Sequence, residues 1–212
     1  MIIYMTEGGK YFPPNAEKRR GLYVNLTNRC NNACVFCLRD KKILTAENTL
    51  WLDREPTVDE IKAGLDTAPW DFVSEVVFCG FGEPTLRLAE LLEILRYVKK
   101  IHPEIPTRLN TNGLAELEYG REIAPDFENI LDVASISLNA ATAEKYFALT
   151  RSKFGLGAYE AMLTFAEHMK NFVPQVVLTI VDKVTPPDEI VACRKICESR
   201  SLTLRVRPYE SN

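Results

Sequence analysis

Apolar residues fall along this chain in short β-rich runs bounded by turn residues, with polar stretches of helical period between them. The runs are residues 22–26, 75–78, 107–109, 133–138, 176–181 and 203–206. Most read as strands buried on both faces, the pattern of a parallel sheet covered by helices. Helical periodicity occupies residues 57–66, 88–100, 143–149, 159–171 and 188–199, with a weaker stretch after Gly120. Thr57 and Glu60 have the spacing of a capping box at the start of the first helix. Strand followed by helix, repeated along six units, predicts right-handed crossovers and mostly parallel strands. Six units are too few for the closed eight-fold barrel, so the expected fold class is α/β, a partial, open (β/α)6 TIM-like barrel.

Length supports one sizeable core, so residues 1–212 are expected to form a single domain, with an N-terminal extension over 1–20 and a long aperiodic loop over 38–56. A loop of that length inside a compact domain either covers a site, here with Arg39, Lys41, Lys42, Trp51 and Arg54, or is a solvated surface segment. The 46% hydrophobic and 26% charged fractions are those of a soluble globular protein, and no apolar run reaches membrane-spanning length. Residues 1–10 contain Glu7, Gly8 and Gly9 where a secretory leader has a long apolar core, which argues for a cytoplasmic protein. A net charge of -3 gives no overall footprint for non-specific nucleic-acid binding.

In parallel α/β folds ligands bind beyond the carboxyl ends of the strands, and the chemically expressive residues of this chain gather there. Cys30, Cys34 and Cys37, at C-x3-C-x2-C spacing, follow the first run; Gly80 to Pro84 follow the second; Asn110 to Gly113 follow the third. Ser137 and Asn139 end the fourth, and Arg205 to Pro208 end the last. Six cysteines in a chain with a real core do not read as a disulfide framework, and three of them are too tightly clustered for one. A structural zinc site needs further Cys or His ligands, whereas His102 and His168 lie in helical contexts without ligand spacing. Buried apolar thiols are the bland alternative. Soft thiolates in one loop suit an iron-sulfur cluster, and three of them leave one iron of a four-iron cubane open to a small molecule. An open iron favours chemistry over plain electron transfer.

With Cys30-Asn31-Asn32-Ala33-Cys34-Val35-Phe36-Cys37 on the page, the chain resembles the radical S-adenosylmethionine superfamily, whose signature is C-x3-C-x-aromatic-C. The stretch from Phe78 to Leu86 resembles that superfamily's Gly-Gly-Glu-Pro motif, with Phe81 inserted between Gly80 and Gly82. Over almost its full length the chain is similar to the TatD-associated family of such proteins, through LYVNLTNRCNNACVFCLRD, residues 50–57, VVFCGFGEPTLRL, RLNTNG, SISLNA and RVRPY.

The resemblance implies a [4Fe-4S] cluster on Cys30, Cys34 and Cys37, with S-adenosyl-L-methionine on the fourth iron. It further implies that Phe36 packs near the adenine and that Gly80, Gly82 and Glu83 line the methionyl end. The implied activity is reductive cleavage to methionine and a 5′-deoxyadenosyl radical that abstracts hydrogen from a substrate. A flavodoxin or ferredoxin type reductant, sensitivity to oxygen and a link to a TatD-like metallohydrolase go with it. The resemblance supplies no substrate and no catalytic side chain, and an open barrel mouth leans towards a macromolecular one.

Other residues are read from their own chemistry. Asn110, Asn112, Ser137 and Asn139 are candidates for ribose or carboxylate contacts, against a plain turn role for Asn112 with Gly113. Arg151, Arg205 and Arg207 suit a cofactor carboxylate or an anionic substrate, or else surface ion pairs, and alternation puts Arg205 and Arg207 on one side of their strand. Cys193 and Cys197 share a helix face and read as structural thiols rather than an auxiliary cluster. Cys79 reads as core, or as a thiol hydrogen donor near the site. The competing classes are a compact heterocycle-forming enzyme resembling carboxy-deazaguanine synthases, and a non-catalytic iron-sulfur carrier or redox sensor.

Overall fold

The computed structural model describes residues 2–7, 10–11, 19–39 and 50–208. Eight strands form one sheet in the order β2-β1-β3-β4-β5-β6-β7-β8. They are β1 (Ile3–Glu7), β2 (Lys10–Tyr11), β3 (Arg20–Val24), β4 (Val73–Phe78), β5 (Thr107–Thr111), β6 (Val133–Ser137), β7 (Gln175–Val181) and β8 (Thr203–Arg207). Neighbours from β3 through β8 pair in parallel, while β1 pairs antiparallel with both β2 and β3. The helices α1 (Val58–Asp66), α2 (Leu88–Ile101), α3 (Ala115–Tyr119), α4 (Ala143–Thr150), α5 (Gly157–Met169) and α6 (Pro187–Ser199) connect the parallel strands. The architecture is the open, mostly parallel partial barrel that strand-helix alternation predicts.

Each helix forms for reasons legible in its sequence. Thr57 caps α1 by accepting from the Glu60 N–H at 3.2 Å while the Glu60 carboxylate accepts from the Thr57 N–H at 2.8 Å. In α2, Leu88, Leu91, Leu92, Leu95 and Val98 recur at helical spacing, and all are buried. Pro187 at the first position of α6 has no N–H to leave unpaired, and Asp188 and Glu189 complement the positive helix end.

The core lies between helices and sheet, where Leu22, Val24, Val76, Phe78, Leu109, Ala134, Ile136, Leu178 and Ile180 are fully covered. The opposite, concave face carries polar side chains instead: Tyr23, Glu75, Arg108, Asn110, Ser135, Ser137, Arg205 and Arg207 alternate with the core residues.

Several boundaries differ from expectation. The antiparallel β1 and β2 occupy part of the stretch expected to be an N-terminal extension. The helix placed after Gly120 lies before it, because Gly120, at φ 62°, terminates α3 in the left-handed conformation; only a 3-10 turn, Ala124–Phe127, follows. Strand β5 runs two residues further than expected, so Asn110 and Thr111 are strand residues. Burial on both faces fails for β3, β5 and β8: their concave-side residues stay partly accessible, and β8 is largely exposed. Of the expected covering loop, Lys41 and Lys42 lie outside the described residues. Residues 50–56 pack back onto the turn after β3, where Asn25 Nδ2 donates to Leu50 O at 2.6 Å and Asn28 Nδ2 to Leu52 O at 2.7 Å.

Candidate functional site

The cysteine segment is irregular backbone, so its peptide groups must find partners outside a ladder. They find them on α4 and the turn beyond it. Ala33 N–H donates to Thr150 O at 2.8 Å, Val35 N–H to Leu149 O at 2.9 Å, and Lys153 N–H to Asn31 O at 3.0 Å. On the other flank Glu55 accepts from Arg29 Nε at 2.6 Å and from the Thr27 hydroxyl at 2.6 Å. From below, the buried Arg87 guanidinium donates to Leu26 O at 3.0 Å and Pro56 O at 2.7 Å. A loop clamped on three sides presents its side chains in fixed directions.

Cys30, Cys34 and Cys37 are all partly accessible. Burial pushes the Cys30 thiol up to about 11, with the Glu83 carboxylate adding to it. Burial also pushes Cys34 up to about 12, with Cys30 and Cys37 adding to it. Two N–H groups point at the Cys30 sulfur: the Asn32 amide at 3.4 Å and Asn112 Nδ2 at 3.8 Å. Such donors favour a thiolate and are the usual tuning contacts of a cluster sulfur. Among the described residues, no three His, Cys, Asp or Glu side chains converge on one metal-ion position.

The glycine turn after β4 is built against this loop. A Cβ on Gly82 would stand 2.3 Å from Thr27 O and 2.5 Å from Arg29 O, and one on Gly80 would stand 2.1 Å from Asn25 Oδ1. Only glycine allows so close an approach. Glu83 N–H then donates to Arg29 O at 2.7 Å, joining the two motifs by their backbones. The Glu83 side chain turns the other way, fully buried. It accepts from Thr85 N–H at 3.1 Å, the Thr85 hydroxyl at 2.8 Å, the Thr111 hydroxyl at 2.7 Å and Asn112 N–H at 2.7 Å. Burial raises its pKa while these donors pull it down. What the turn offers outward is therefore backbone, and the carboxylate locks the end of β5 to it.

The other expected site residues divide. Asn112 joins the cysteine loop, its Nδ2 also donating to Asn31 Oδ1 at 2.5 Å and its Oδ1 accepting from Leu114 N–H at 3.0 Å. Asn110 lies beside Cys79, with its Oδ1 buried and unpartnered among the described residues. Ser137 ends β6, and Asn139 is buried at φ 60° just beyond it, two and more strands from the cysteines. Phe36 is half-buried between Cys34 and Cys37. Arg151 caps α4 in a left-handed conformation at an exposed position, next to Thr150, whose carbonyl accepts from the cysteine loop. Cys193 and Cys197 are buried on α6 within the core.

Motif reading passed over several residues. Asn25 Oδ1 is buried without a hydrogen-bond partner among the described residues, while the buried Asn32 side chain and Tyr146 hydroxyl stand against each other. Tyr146 lies close enough to Cys34, Glu83 and Cys30 to feel their charge, and burial raises its pKa. An orphaned oxygen of this kind marks a place built for another group. Three thiols, two donors on a sulfur, a backbone cradle and this orphan fit a cluster with a polar organic cofactor beside it.

Three kinds of comparison bear on this arrangement. The family model described as "Radical SAM superfamily" matches residues 24–194. Among curated proteins, a probable GTP 3′,8-cyclase of Thermococcus kodakarensis is 31% identical over 160 residues, covering 75% of this chain and 46% of that protein. The chain spans less than half the length of the curated relatives it matches. Among solved structures, Streptococcus suis SuiB bound to S-adenosylmethionine aligns with a TM-score of 0.64 at 17% identity, covering 91% of this chain and 39% of that one. A radical SAM methyltransferase from Sphaerobacter thermophilus aligns with a TM-score of 0.59 at 16% identity, covering 95% and 69%.

Proposed function

Because the chain belongs to the radical S-adenosylmethionine superfamily, we propose that it is an enzyme holding a [4Fe-4S] cluster on Cys30, Cys34 and Cys37 and S-adenosyl-L-methionine beside it. When bound, these groups supply one-electron cleavage to methionine and a 5′-deoxyadenosyl radical, which takes hydrogen from a substrate. The observation that carries this reading is the close packing of Gly82 on Thr27 O and Arg29 O, which fuses the glycine turn to the cysteine loop and sets its backbone groups beside the thiols. An electron carrier has no use for such an arrangement.

The chain's own residues divide the work. Asn32 N–H and Asn112 Nδ2 hold the Cys30 sulfur in a donor environment that stabilises its thiolate. Glu83 fixes β5 against the glycine turn, so that backbone groups of residues 80–82 keep their aim. Asn25 Oδ1 and Asn110 Oδ1 are buried acceptors suited to an ammonium. Phe36 offers an aromatic face next to the third cysteine for an adenine ring. Cluster loading must displace protons from Cys30 and Cys34, whose thiols are neutral at pH 7. Similarity in residues 50–57, RLNTNG, SISLNA and RVRPY supports the TatD-associated branch, with a TatD-like hydrolase partner and a flavodoxin or ferredoxin type reductant. The substrate of the GTP 3′,8-cyclases is not carried over.

The test is chromatography for 5′-deoxyadenosine after anaerobic reconstitution with iron and sulfide, then dithionite and S-adenosylmethionine. The protein is expected to produce it, and Cys34→Ala to lose both the cluster absorbance and the product while staying folded. A full cluster in Cys34→Ala contradicts the ligand assignment.

A further inference from the structure

Four charged side chains unrelated to the cysteine and glycine motifs meet on the concave face of the sheet. Arg108 Nη2 donates to Glu75 Oε1 at 2.6 Å between β5 and β4, and both side chains are largely covered. Arg205 reaches back across β7 to donate from Nη2 to the Ser135 hydroxyl at 3.0 Å. Arg207 follows two residues later on the same face of β8. The sheet curls enough that Arg205, on the last strand, feels Glu75 of β4 and Tyr23 of β3.

Charge on this face does not balance. Glu75 neutralises Arg108, whereas among the described residues neither Arg205 nor Arg207 makes an ion pair. Arg205 is held on a neutral hydroxyl, and partial desolvation, then Arg108 and Arg207, lower its pKa. Arg108 Nε is buried without a hydrogen-bond partner among the described residues. Three guanidiniums and a leftover donor thus face one carboxylate among the described residues, and the exposed Arg205 and half-buried Arg207 are open to an anion from solvent. The cysteine loop follows β3, so these guanidiniums stand across the concave face from the cluster position, where a substrate facing the cofactor would lie.

We infer that this face binds the substrate through an oxyanion group, of the phosphate class, held by Arg205 and Arg207 with Arg108 as the inner guanidinium. Two guanidinium forks without an ion pair among the described residues match a dianion, and planar forks bind phosphate oxygens bidentately. The inference rests on the strand ends being the radical enzyme's active site, and it adds the chemical class of what that site receives. It makes Arg205 and Arg207 substrate-binding residues and assigns no substrate contact to Arg151, exposed at the end of α4.

Calorimetric titration of the anaerobically reconstituted protein with inorganic pyrophosphate, at saturating S-adenosylmethionine, tests this. Binding is expected, weakened about tenfold or more in Arg205→Gln and Arg207→Gln, less in Arg205→Lys, and unchanged in Arg151→Gln. Urea unfolding midpoints equal to wild type ensure that the losses are local. Equal binding by wild type and both Gln variants overturns the proposal. Tighter binding of succinate than of pyrophosphate overturns the phosphate assignment, and competition of pyrophosphate with S-adenosylmethionine assigns the arginines to the cofactor instead. Pyrophosphate binding that depends on Arg205, without 5′-deoxyadenosine formation, leaves the anion site standing and removes the catalytic reading. The reverse result removes the anion site alone.

Discussion

Gly82 has no side chain because there is no room for one. Two main-chain carbonyls, Thr27 O and Arg29 O, occupy the space a Cβ would take. Backbone cannot step aside as the tip of a side chain can, so Gly82→Ala must push the glycine turn off the cysteine loop. The expected cost is about 1–3 kcal/mol, typical of overpacking, together with reduced iron uptake on reconstitution. Gly157→Ala is the control: nothing lies within 4 Å of its Cβ position, at the first residue of α5. That variant is expected to match or slightly exceed wild type. Urea unfolding midpoints and iron content check both. Among individual residues, those the sequence revealed were the ones whose meaning lies in local spacing, the three cysteines and the glycine turn. Tyr146 and Asn25 gave no such signal, since a buried polar group announces itself only once its surroundings are known. Arg108 was recoverable in principle, because alternation along β5 places it on the same face as Asn110.

Among the elements, the parallel strands were legible because their core-facing residues are mostly apolar and those from β3 to β7 are each followed by a helix. Strand β1 was not, because an antiparallel strand ahead of the first parallel one breaks the strand-helix alternation on which the reading depends. The misplaced α3 has a similar cause: a glycine signals a break in either direction, and only its left-handed φ shows that the helix lies on its N-terminal side. Strands β5 and β6 are tied at their entry by Asp132, which accepts from Lys99 Nζ at 2.6 Å, Thr107 N–H at 2.6 Å and the Thr107 hydroxyl at 3.0 Å. Burial pushes this carboxyl up, but Lys99 and Thr107 outweigh it and hold its pKa below the usual range. A carboxyl depressed in the folded state stabilises above its unfolded pKa, near 3.9, and that contribution fades as pH falls through the folded value. Asp132→Asn is therefore expected to be less stable than wild type at neutral pH, with the gap narrowing below about pH 4. Urea midpoints measured across pH decide it; a gap independent of pH removes the electrostatic account.

For the molecule as a whole, the sheet is fastened unevenly. Its β3 side is closed by β1, whereas among the described residues β8 pairs with β7 alone and is exposed along most of its length. Amide hydrogens of β8 are expected to exchange faster than those of β5 and β6, which have partners on both sides and full cover from the helices. Exchange mass spectrometry reads this directly, and protection of β8 equal to that of β6 would contradict it. Among the described residues, no helix is long and apolar enough to cross a membrane. The open margin also places Arg205 and Arg207 on the least fastened strand, so the residues assigned to the substrate can adjust while the cysteine loop stays clamped.

The bond from Glu83 N–H to Arg29 O and the contact beneath Gly82 make one object of two sequence motifs that lie far apart along the chain. Anyone transplanting the cysteine segment into another barrel would be moving half a socket. The graft has to bring residues 25–39 and 79–85 together, with the Thr111 hydroxyl and the Asn112 amide that hold Glu83, or the recipient inherits three thiols and no seat for a cofactor.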